Sequence, residues 1–101
     1  MTKGSRKDVR RGIFEIPVEQ ELDLHGLTID QGLMELENFI QLCIRFKVKS
    51  VRVIHGIGPE KGRSMRKAVR SFLSTRARPH LTGIEAEPHN PGSIIIYIAG
   101  A

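Results

Sequence analysis

Two short apolar stretches, each closed by His-Gly and each followed by a helical pattern, constrain this chain more than any other feature. The first is Leu22-Asp23-Leu24-His25-Gly26, and the second is Val51-Arg52-Val53-Ile54-His55-Gly56. A strand, a crossover helix and another strand imply a parallel pair with a right-handed connection. In such a sheet both histidines arrive at one edge, the edge where α/β folds place their chemistry.

The rest of the pattern completes the sheet. Residues 21–25 alternate, so Leu22 and Leu24 face one side while Asp23 and His25 face the other. Gly26 allows a sharp exit, and Thr28-Ile29-Asp30-Gln31 reads as a capping box. A helix is expected to run to about Arg45, with Ile29, Leu33, Leu36, Ile40, Cys43 and Ile44 on its core face. Phe39, Leu42 and Phe46 form a second apolar strip, expected to pack within the domain. Residues 48–55 read as a strand buried on both faces. A second helix starts near Arg63 or Ser64 and stops before Pro79. Its apolar face is Met65, Ala68, Val69, Phe72 and Leu73; Arg63, Arg66, Lys67 and Arg70 lie opposite. Residues 81–87 and 93–99 are two further strands, joined by the turn cluster Pro88-His89-Asn90-Pro91-Gly92 into an antiparallel hairpin. The predicted fold class is α/β. It is a two-layer or three-layer sandwich in β-α-β-α-β-β order, with a mixed, mostly parallel four-stranded sheet and two helices.

Charge divides the chain further. The 101 residues carry a net charge of +5, unevenly spread. Residues 1–12 hold five Lys/Arg against Asp8, and residues 59–80 hold seven against Glu60, while the intervening and final segments are acidic. Clustering of this kind points to a polyanionic partner, here the backbone of DNA or RNA. Residues 1–19 read as a basic flexible arm, with residues 13–18 able to lie extended against the domain, and residues 20–101 as the folded unit. No apolar run reaches the length of about 18 residues that a membrane span needs. The single cysteine, Cys43, cannot form an internal disulfide and sits in the helical core stripe. Together these features place the expected compartment in the cytoplasm, with no membrane partner.

Which chemistry the edge supports depends on the side chains gathered there. Metal-assisted hydrolysis generally recruits several carboxylates, and only Asp23 is clearly placed, with Asp30 and Glu60 less certain. His25, His55, His80 and His89 have no zinc-ligand spacing. No metal ligand is assigned, and a divalent metal stays an option if the substrate is DNA. RNA carries its own nucleophile, so imidazoles alone can move the protons. His25 is the expected general base or acid, with Asp23 favouring its reactive tautomer or orienting water. His55 would bind the scissile phosphate or act as the complementary proton donor. Gly56 and Gly58 allow close phosphate approach, and Lys61, Arg63, Arg66, Lys67 and Arg70 would hold flanking phosphates. The plain alternative is that both His-Gly pairs are only strand-to-helix turns.

These motifs, Leu22-Asp23-Leu24-His25-Gly26 and then His55-Gly56-Ile57-Gly58 about thirty residues on, followed by a basic amphipathic helix and an apolar last strand, resemble the small MutS-related (Smr) domain family. The resemblance covers roughly residues 20–99. It implies a sandwich similar to the C-terminal domain of bacterial translation initiation factor three. It also implies nucleic-acid binding with nicking or endonuclease activity, on DNA in mismatch-repair-related members and on RNA in others. Two positions depart from the family pattern. Ile57 stands where the second motif usually has lysine, with Lys61 or Arg63 available as a substitute cation. The glycine-rich lead-in to the last strand is reduced to Asn90-Pro91-Gly92-Ser93. The expected function is a low-specificity endonuclease, on its own or delivered by a larger protein or assembly. The alternative is a non-catalytic nucleic-acid-binding or protein-interaction module that keeps the fold.

Overall fold

A computed structural model describes residues 18–56 and 61–99, with side chains in the second span from residue 64 onward. The order is β1 (Gln20–Asp23), α1 (Ile29–Phe46), β2 (Ser50–Ile54), α2 (Lys61–Ser74), a 3₁₀ turn at Arg78–His80, β3 (Leu81–Ala86) and β4 (Ser93–Ile98). Across the sheet the strands run β1-β2-β4-β3. β1 and β2 are parallel, and β4 is antiparallel to both β2 and β3. Three strands therefore point one way, and the last two form the expected hairpin. The final strand enters the centre because it is the most apolar, and Ile94, Ile96 and Ile98 are all buried.

Both crossovers step across the sheet in the same direction, so right-handed connections bring both helices to one face. Among the described residues the sandwich has two layers. Its core joins Leu24, Val51, Val53 and the β4 isoleucines to Leu36, Ile40 and Cys43 of α1 and to Met65, Val69, Phe72 and Leu73 of α2. The expectation that β2 is buried on both faces is corrected by this layering: Val51 and Val53 are buried, whereas Arg52 and Ile54 are half-buried on the face without helices.

The capping box forms as the sequence suggests. Thr28 Oγ1 accepts from the Gln31 N–H at 3.1 Å, and Gln31 Oε1 accepts from the Thr28 N–H at 3.1 Å. Two details of α1 differ from expectation. Ile29 is 40% exposed, because the first turn overhangs the core. Phe39 packs against the core, but Leu42 and Phe46 are exposed, since a helix on a single sheet buries only its inward side. The expected extension of residues 13–17 along the domain, like the arm before it, lies outside the described residues.

Gly32 explains how the second helix reaches the first. A Cβ at this position would lie 2.7 Å from Met65 Cε, so only a glycine lets the Met65 side chain settle against α1. The missing side chain costs helix stability of roughly 0.5–1 kcal/mol, offset by burying Met65. As a result the N-terminal turns of both helices meet at the strand edge that carries the His-Gly pairs.

On the other sheet face, Arg52 ties β1 and β2 to Glu87, the residue just after β3. Its Nη1 donates to Glu21 of β1 at 2.6 Å, and its Nε and Nη2 form a fork on Glu87 at 2.8 and 2.7 Å. Ser93 Oγ of β4 also donates to Glu87, at 2.5 Å. The guanidinium holds the Glu87 carboxyl below its ordinary titration range. This face carries Glu21, Asp23, Glu85 and Glu87 together with Arg52.

Candidate nucleic-acid-cleaving site

The β1–β2 register decides what the two His-Gly pairs can do. Leu22 lies opposite Val53 and Asp23 opposite Ile54, and the Leu24 N–H donates to the Ile54 carbonyl at 2.7 Å. Continuing that register places Leu24 beside His55 and His25 beside Gly56. Neighbouring residues in a pair share a face of the sheet, and alternate residues along a strand switch faces. His55 therefore turns into the core with Leu24, while His25 turns outward with Asp23. The two histidines reach the same strand edge, but the expectation of two solvent-facing rings is corrected: His55 is 2% exposed.

The outward pair is a carboxylate–imidazole dyad. His25 Nδ1 lies 2.7 Å from Asp23 Oδ1, and the His25 backbone N–H donates to the same oxygen at 3.0 Å. A carboxylate only accepts, so Nδ1 carries a proton, and in the neutral ring Nε2 is the nitrogen with the lone pair. The side chains are 69% and 51% exposed, which leaves Nε2 open to a substrate. The bonds from His25 hold the Asp23 carboxyl below its usual range, so it stays ionised at neutral pH.

His55 has a different environment. Its Nδ1 lies 2.8 Å from the Gly56 carbonyl, which makes Nδ1 the protonated nitrogen there too. Its Nε2 is buried with no hydrogen-bond partner among the described residues. The His55 and Gly56 N–H groups both donate to the Gly92 carbonyl, at 2.9 and 3.0 Å. This link to the β3–β4 turn is a contact that sequence reasoning missed, though Gly92 stood in a recognised turn cluster. Gly56 has φ of +91°, and a Cβ there would lie 3.3 Å from His25 Cβ, so the second glycine backs directly onto the outward histidine.

Burial lowers the His55 pKa from its ordinary 6.5, assisted by the positive fields of Arg66 and Arg70. The folded state therefore holds the ring neutral while the unfolded chain takes up a proton below about pH 6.5. That stability is complete above pH 6.5 and is lost as pH falls through and below it. Urea midpoints should hold level from about pH 8 to 7 and decline between about 6.5 and 5. Asp23 and Glu87, whose pKa values are lowered from 3.8 and 4.5, withdraw their contributions only at more acid pH. A midpoint unchanged down to about pH 5 would contradict the burial of a neutral ring.

Of the expected phosphate contacts, Arg66, Lys67 and Arg70 are exposed on α2, opposite the buried Met65, Val69 and Leu73. Gly58 and the side chains of Lys61 and Arg63 lie outside what is described, as does Ile57. Among the described residues no group of three or more His, Cys, Asp or Glu side chains is placed to hold a metal ion. The edge thus offers one exposed imidazole and its ionised partner, while Arg66 and Arg70 of α2 lie near enough to His55 for their charge to act on its ring.

Comparison with known proteins agrees with this architecture. The Smr domain model matches residues 22–98. The endonuclease MutS2 of Finegoldia magna is 33% identical over 91 residues, which is 89% of this chain and 11% of that protein. The ribosome rescue factor SmrB of Photobacterium profundum is 38% identical over 58 residues, 57% of this chain and 32% of that protein. The chain thus spans only a minor part of the curated relatives it matches. The crystal structure of the Smr domain of Thermus thermophilus MutS2 has the same fold, with a TM-score of 0.68 at 24% identity over 80% of this chain and 99% of that one. With the family model running from β1 through β4 and taking in both His-Gly pairs, this chain belongs to the Smr domain family.

Proposed function

We propose that this domain cleaves phosphodiester bonds in nucleic acid, with His25 as general base and Asp23 as its partner, and with little sequence specificity. The single observation that carries the reading is the dyad itself, a 2.7 Å carboxylate–imidazole bond with the outer nitrogen open to solvent. On RNA, His25 Nε2 takes the proton of a 2′-hydroxyl. The 2′-oxygen then bonds to phosphorus while the bond to the 5′-oxygen breaks. A cyclic phosphate forms, and the leaving oxygen takes a proton from water. Asp23 stabilises the imidazolium that results. On DNA the same nitrogen would activate a water. The name of the MutS2 relatives, endonuclease, supports the reading.

In this reading the substrate approaches over the strand edge that carries His25 and along the exposed cationic side of α2. Arg66, Lys67 and Arg70 hold phosphates there as point charges and read no bases, which is why specificity is low. Replacing Arg66 and Arg70 together by alanine should weaken binding to all sequences alike. It should also lower the slope of log affinity against log salt by about 2. Fluorescence anisotropy of labelled oligonucleotides over a salt series measures this. An unchanged slope would reduce the basic stripe to solvated surface.

Burial of His55 favours a second reading, a nucleic-acid-binding module without turnover, because it leaves one exposed imidazole where two were expected. Ile57 in place of the family lysine points the same way. Labelled single-stranded RNA and supercoiled plasmid, each incubated with the protein with and without EDTA, separate the two. Cutting that depends on His25 supports the nuclease, and EDTA sensitivity on plasmid alone would assign a divalent metal to the DNA reaction. Binding without cutting under every condition supports the module.

A further inference from the structure

We infer that His55 is a positioning residue, which clasps the Gly56 turn against His25 through its Nδ1–H and takes no part in proton transfer. The inference rests on the nuclease reading for its effect on rate, and on geometry alone for the clasp. Three main-chain polar groups at this turn are engaged. The His55 and Gly56 N–H groups donate to the Gly92 carbonyl, and the Gly56 carbonyl accepts from the His55 ring. The ring therefore fixes the peptide that leads on from Gly56, at the residue where an added Cβ would lie 3.3 Å from His25 Cβ.

Three observations remove His55 from the chemistry. Its ring lies on the core side of the sheet with Leu24, and neither residue is more than 2% exposed. Its only unprotonated nitrogen, Nε2, is buried and has no partner among the described residues, so it reaches no substrate hydroxyl. A proton added there would be a buried donor without an acceptor, on a ring already facing the positive fields of Arg66 and Arg70. A general acid has to carry that proton before giving it up.

Side-chain amides tell the two roles apart. Asparagine places an amide N–H near the position of Nδ1, and glutamine places one near Nε2. His55→Asn should keep cleavage within about five-fold of the parent protein, because the donor to Gly56 survives. His55→Gln and His55→Ala should lose roughly ten- to a hundred-fold through displacement of His25, since a misplacement of about 1 Å can cost 10²-fold. The His25 ring resonances should move in the glutamine and alanine variants and stay in place in the asparagine variant. Equal loss in the Asn and Gln variants, with both folded, overturns the inference.

A second measurement needs no catalysis. Two-bond proton–nitrogen correlation spectra of the unmodified protein at neutral pH should show the His55 proton on Nδ1. A proton on Nε2 overturns the inference whether or not the domain cuts any substrate. A protein that cuts nothing but shows the Nδ1 tautomer would instead defeat the nuclease reading and leave the clasp standing.

Discussion

His25→Ala should lower the single-turnover cleavage rate by about 10²–10⁴-fold, the usual range for a general base, while leaving the melting temperature close to that of the parent. The separation is possible because this side chain contributes little to the fold. It is 69% exposed, and the hydrogen bond found for its ring goes to Asp23. Surface substitutions of this kind usually stay within about 0.5 kcal/mol. Binding should also survive, since the proposed phosphate contacts are Arg66, Lys67 and Arg70 and not His25. Asp23→Asn should give a smaller loss, on the order of 10–10³-fold, because the amide no longer stabilises the imidazolium but His25 itself remains. Rates measured with protein in excess over labelled RNA test both. Cleavage by His25→Ala at the parent rate would end the assignment.

The elements that this prediction relies on were legible because their signals are local. A capping box needs only Thr28 and Gln31, and alternation from Glu21 to His25 already placed Asp23 and His25 on one face. What stayed hidden was the relation between the two strands. His25 and His55 end matching motifs, so similarity of pattern suggests that they are paired. The ladder instead sets Asp23 opposite Ile54, one step out of phase with that alignment. A shift of one residue turns a side chain to the other face, and here it separates an exposed base from a buried clasp. Alternation in the second motif sets His55 on the face of Val51 and Val53, a signal masked while that strand was read as buried on both faces.

Arg52 was obscured for a related reason. It lies within a strand read from its apolar residues, yet it closes an ionic network between Glu21 and Glu87, 31 and 35 residues away in the chain. Sequence separation of that size leaves no periodic trace. The same layering that leaves Arg52 on a helix-free face also exposes Leu42 and Phe46, because the number of layers depends on the direction of two crossovers together and not on either helix pattern.

Gly56→Ala should damage both stability and turnover, and comparison with Gly26→Ala should show why. Each glycine has φ in the left-handed region, +91° and +86°. An alanine there costs about 1–2 kcal/mol of backbone strain at either site, or a fall in melting temperature of roughly 5–15 °C for a domain of this size. The space around the two differs. A Cβ at Gly26 would meet nothing within 4 Å, whereas a Cβ at Gly56 would sit 3.3 Å from His25 Cβ and 4.0 Å from its Cα. The neighbour that must give way is the strand end carrying the base, so Gly56→Ala should lose about ten-fold or more in cleavage beyond the Gly26→Ala variant at matched melting temperature. Calorimetry and single-turnover rates on the pair isolate that steric effect from the shared strain. Equal rates in the two variants would mean that contact between the second glycine and His25 has no bearing on the chemistry, and that His25 is held in place by Asp23 alone.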